Sequence, residues 1–62
     1  MSRSAVRGTW FDARVNAREF SLDGYAWIVS LGPSAGYAIV TSKSVDDAPP
    51  YYAAAFKEGE EQ

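Results

Sequence analysis

Residues 9–22, TWFDARVNAREFSL, decide the fold, because they carry two periodicities at once. Phe11, Ala13, Val15 and Ala17 alternate with Trp10, Asp12, Arg14, Asn16 and Arg18, as in a half-buried strand. Trp10, Ala13, Ala17 and Phe20 also make a helical stripe, and Thr9 with Asp12 matches the Ser/Thr-x-x-acid signal that opens helices. The helical reading leaves Phe11 and Val15 on the face opposite the stripe. The strand reading leaves only Trp10 among polar positions and offers a turn at Asn16-Ala17, so strands over residues 9–15 and 18–22 are favoured.

Downstream the pattern is plainer. Two aromatic and β-branched runs, YAWIVSL at 25–31 and YAIVTS at 37–42, flank Gly32-Pro33-Ser34-Ala35-Gly36, which reads as a hairpin of strands 25–31 and 36–42. Asp23-Gly24 supplies a two-residue turn into the first of them. Residues 1–7 read as a loose arm with Val6 able to join the first strand, and residues 43–50 as a connector ending in Pro49-Pro50. Pro50 suits the first position of a helix over residues 51–58, with Tyr52, Ala55 and Phe56 as its apolar edge and Gly59 as its stop. Two turns of helix hold only when docked. The expected fold is therefore one α+β domain over residues 1–62: a small antiparallel meander of three to four strands across 9–42, a short C-terminal helix at 50–58 packed on it, and an acidic tail at 59–62.

A chain of 62 residues hides only about 60% of the surface its unfolded form exposes, which leaves little room for an enclosed active site. The absence of Cys removes disulfides and thiolates, and the absence of His removes the commonest general base and metal ligand. No enzyme, cofactor or metal is expected. Gly and Pro interrupt the uncharged stretch at 24–42, so no membrane span is expected, and a cytoplasmic location in a host cell fits the composition. Net charge is −2, but the signs separate: Arg3, Arg7, Arg14 and Arg18 precede the hairpin, whereas Asp46, Asp47, Glu58, Glu60 and Glu61 follow it.

Ser42-Lys43-Ser44 puts hydroxyls beside an amine, yet strand neighbours point to opposite faces, so an exposed strand end is the better reading. Gly32 to Gly36 lacks the Lys-Ser/Thr of a phosphate loop, and Asp46-Asp47 lacks the spaced oxygens of a calcium loop. Arg14 and Arg18 with Trp10 offer a nucleic-acid strip, against which the overall acidity counts. The acids at 46–47 and 58–61, set at the two ends of the expected helix, can present carboxylates to a basic groove at something like phosphate spacing.

A Cys-free, His-free chain of this size with a small sheet, one short helix and an acidic end resembles the phage-encoded inhibitors called anti-CRISPR proteins. That resemblance implies a stoichiometric binder of a CRISPR effector, blocking its nucleic-acid site without binding nucleic acid itself. The class shares no motif, so no residue is carried over from it; Asp46, Asp47, Glu58, Glu60 and Glu61 are assigned to partner binding from charge alone. The alternative is an interaction module working by shape, through an edge strand or exposed aromatics such as Trp10, Tyr25 or Tyr51. A monomer is favoured, with pairing of two copies through an open sheet edge as the other option.

Overall fold

The computed structural model describes residues 2–62, residue 2 by its backbone alone. Strand β1 (Ser2–Val6) leads into helix α1 (Trp10–Phe20), followed by β2 (Tyr25–Ser30), β3 (Tyr37–Ser42), a 3-10 turn at Val45–Asp47, β4 (Ala54–Lys57) and β5 (Glu60–Glu61). The strands form one antiparallel sheet in the order β1-β3-β2-β4-β5. The α+β class and the central hairpin are as expected; the single helix, however, lies before the hairpin rather than at the C-terminus.

Trp10–Phe20 is therefore one helix rather than parts of two strands, and the start signal is what prevails. Thr9 Oγ1 accepts from the Asp12 amide at 3.1 Å and Asp12 Oδ2 accepts from the Thr9 amide at 3.1 Å, a reciprocal capping box. Gly8 makes room for it: its φ is +120°, and a Cβ there would fall 2.5 Å from Asp12 Oδ2. Ala13 and Ala17, one turn apart and fully buried, let the helix backbone lie close to the sheet, with Trp10 and Phe20 flanking the contact.

Residues 51–58 are not helical. Ala54–Lys57 pairs with β2 in the register Ala54↔Ile28 to Lys57↔Tyr25, because an extended chain places Ala54 and Phe56 on the same side, toward α1. Glu58 (φ +52°) and Gly59 (φ +84°) then make a two-residue turn with both central φ positive, and residues 60–61 return as β5 rather than trailing as a tail. The arm at 1–7 is likewise corrected over its described part, since Ser2–Val6 pairs with residues 37–41 of β3. Asp23-Gly24 joins helix to strand instead of closing a hairpin.

Connectivity explains why so short a chain covers both sheet faces. α1 carries the chain from β1 to β2 across β3, and residues 43–53 carry it from β3 to β4 across β2. The two parallel pairs run in opposite directions, so connections of one hand must lie on opposite faces. On the helix side Ala26, Ile28, Ile39, Ala54 and Phe56 pack with Ala13 and Ala17. The other side holds Trp27 opposite Val40, 2% and 3% exposed, and Val40 shares a cleft with residues 46–50 of the second crossover. Ser21 locks the assembly: its hydroxyl donates to Arg18 O at 2.9 Å and accepts from the Gly59 amide at 3.0 Å.

Candidate functional site

The five acids assigned from charge arrive at one end of the sheet, where β3 and β4 finish, with no helix between them. Ser44 caps the 3-10 turn by accepting from the Asp46 amide at 3.1 Å, and Asp47 Oδ2 accepts from the Ser42 hydroxyl. Glu58 sits in the turn after β4, its amide donating to Gly24 O at 3.1 Å. Glu61 accepts two bonds from Arg14 of α1, through Nε at 3.0 Å and through Nη2. Lys43, paired with Asp23 at 3.1 Å, and Lys57 stand among them. Asp46, Glu58 and Glu60 remain exposed and have no ion pair among the described residues. The arrangement is thus mixed in sign and does not form a DNA-like acidic surface. The Arg strip is dispersed as well: Arg14 is committed to Glu61, and Arg18 lies 5.9 Å over the Phe56 ring.

Each residue of Ser42-Lys43-Ser44 has a structural partner, which accounts for the motif without chemistry. Among the described residues no group of His, Cys, Asp and Glu is placed to hold a metal, and no helix is long and apolar enough to cross a membrane.

The opposite end of the sheet is different in kind. The start of α1, the 31–36 loop and the approach to β4 all lie toward that end, and they carry five exposed large side chains: Trp10 and Phe11 on the helix, Leu31 on the loop, and Tyr51 and Tyr52 on the second crossover, on the opposite face. Of the six basic and eight acidic residues, only Arg7 and Asp12 lie at this end, and Asp12 is held in the capping box. Tyr51 is 98% exposed at φ +59°, a backbone region that a bulky residue enters only at a cost of about 1–2 kcal/mol. Trp10 packs edge-on against Tyr37, ring centroids 5.4 Å apart, which steadies the indole while leaving it 37% exposed. Beside them Arg7, Gly8, Tyr37 and the 32–36 turn border an open cleft of about 400 Å³. Phe20, Leu22 and Val45, also exposed, lie at the charged end.

Of the aromatics named from sequence, Trp10 and Tyr51 are at this end. Tyr25 is not: it stacks on Trp27 at 5.5 Å, and the Lys57 ammonium lies 5.1 Å above its ring. The Tyr25 side chain raises the Lys57 pKa above the ordinary lysine value, first through a hydrogen bond and then through its charge. Phe11 and Leu31 are not among the aromatics and edges named from sequence, and Tyr52, expected on the buried edge of a C-terminal helix, is 45% exposed because that helix does not form. The one signal for Phe11 was the misfit that argued against a helix, since an apolar side chain facing away from the stripe is an exposed one. Comparison with protein-family models, curated proteins and solved structures finds no match for the chain.

Proposed function

We propose that the chain is a non-enzymatic protein-interaction module whose charge-poor aromatic end, formed by Trp10, Phe11, Leu31, Tyr51 and Tyr52, docks on an apolar surface of a partner protein. The observation that carries this reading is Tyr51, held at a left-handed φ with its ring wholly in solvent, at the end of the sheet that holds few charges. The turn into β4 needs that φ, but a glycine would supply it at less cost, and the Tyr51 ring returns no packing for the difference. Rigid aromatics dominate binding energy at interfaces, each contributing about 2 kcal/mol or more, roughly thirty-fold in Kd.

A second reading keeps the resemblance to anti-CRISPR proteins. Asp46, Glu58 and Glu60, exposed and unpaired at one end, would meet the basic nucleic-acid groove of a CRISPR effector. The two readings separate in one experiment, affinity capture from host lysate at low and high salt. Aromatic docking predicts a co-purifying protein that survives salt, is lost with Tyr51→Ala or Phe11→Ala, and is kept when Glu58 and Glu60 are changed to Lys. A complex that dissolves in salt and depends on the acids overturns it in favour of the second.

A further inference from the structure

A second surface, independent of the aromatic end, lies along β1. The two edges of the sheet are unequal. β5 has two residues, both Glu, and Glu60 and Gln62 turn their backbone toward β4, so only Glu61 presents unpaired backbone groups outward. That edge is short and negatively charged, as edges protected against pairing are. β1 has five residues, reading SRSAV, with neither acid nor proline.

The backbone groups that β1 leaves open follow from the hydrogen-bond alternation. Leu31 donates to Gly36 O at 3.0 Å, so the alternate residues Ala38, Val40 and Ser42 of β3 bond toward β2. Tyr37, Ile39 and Thr41 therefore bond toward β1, to Val6, Ser4 and Ser2. Arg3 and Ala5, both exposed, turn their N–H and C=O groups away from the sheet.

We infer that this edge pairs with the same edge of a second copy, antiparallel and centred on Ser4, to give one continuous sheet across two chains. Charge selects the register. Outward-facing residues must oppose outward-facing residues, and the choices are Arg3 opposite Arg3, Ala5 opposite Ala5 with Arg3 opposite Arg7, or Arg3 opposite Ala5. Only the last avoids setting guanidinium groups against each other, which would oppose pairing. It forms four backbone hydrogen bonds, two at each Arg3–Ala5 pair, and puts Ser4 opposite Ser4 at the twofold axis. Self-complementarity of this kind is what an isologous contact requires. It is also what makes a second copy, rather than an unrelated strand, the occupant.

The test uses the intact chain. Sedimentation of the wild type should show a concentration-dependent dimer, and Ala5→Pro, which deletes an outward N–H not used within the monomer, should be monomeric with unchanged circular dichroism. Ser4→Cys, the sole thiol in the chain, should cross-link readily under mild oxidation, because non-hydrogen-bonded antiparallel partners bring Cα atoms to about 4.5 Å. Ala5→Cys should not, its twin being offset by two residues. Amides of Arg3 and Ala5 should lose hydrogen-exchange protection on dilution and in Ala5→Pro. A wild type still monomeric at about 1 mM, a dimer untouched by Ala5→Pro, or faster cross-linking through Ala5→Cys than through Ser4→Cys, overturns the inference.

Discussion

Ser21 has no exposed surface, and its hydroxyl serves two segments far apart in sequence, the last turn of α1 and the β4–β5 turn. Ser21→Ala removes an acceptor and leaves the Gly59 amide without a protein partner, which should lower stability by about 1–3 kcal/mol in urea titration. In a domain of this length the whole margin is about 3–9 kcal/mol, so the shift in midpoint should be plain. Thr9→Ala should cost about 1 kcal/mol through loss of the capping box. Tyr51 behaves in the reverse sense. Tyr51→Gly relieves a left-handed conformation and gives up no packing, so the melting temperature should hold or rise, by up to about 1 kcal/mol equivalent, while partner binding through the aromatic end is lost. A destabilised Tyr51→Gly would mean that the ring supports the fold.

At the scale of elements, α1 shows how a sound observation can point the wrong way. Phe11 does lie opposite the buried stripe, 68% exposed, so the feature that weighed against a helix belongs to the helix that forms. Ala13 and Ala17 carry the contact instead, and their small size hid its importance, since alanine signals neither strand nor core. Ala17→Leu should therefore destabilise by about 1–3 kcal/mol through overpacking, whereas Phe11→Lys should fall within about 0.5 kcal/mol of wild type in the same thermal melts. The β2–β3 hairpin was legible because β-branched runs, alternation and turn residues agree. β4 was not. Its Ala53-Ala54-Ala55-Phe56 run has high helix propensity, and only pairing with β2, a contact distant in sequence, makes it extended. Gly59 reads from sequence as a helix stop and is instead part of a hairpin turn, because both call for positive φ there. Of the candidate site, Trp10 and Tyr51 were legible as aromatics with no evident core partner; that Phe11, Leu31 and Tyr52 are exposed toward the same end was not, because topology sets which end each segment reaches.

Taken whole, the molecule is a sheet covered by a helix on one side and a crossover on the other, so β2 and β3 have neighbours at both edges and on both faces. Hydrogen exchange should be slowest at the amides of Ala26, Ile28 and Ile39 and fastest in β5, which has one short pairing. The two covers also divide the tryptophans. Trp27 lies under the crossover, 2% exposed, while Trp10 stands at the aromatic end, 37% exposed. Emission from the first indole reports whether the chain is folded, and emission from the second reports what touches that end. An unlabelled sample in a fluorimeter can thus tell occupancy from denaturation by colour: a partner's arrival shifts the redder component alone, and loss of the fold moves both.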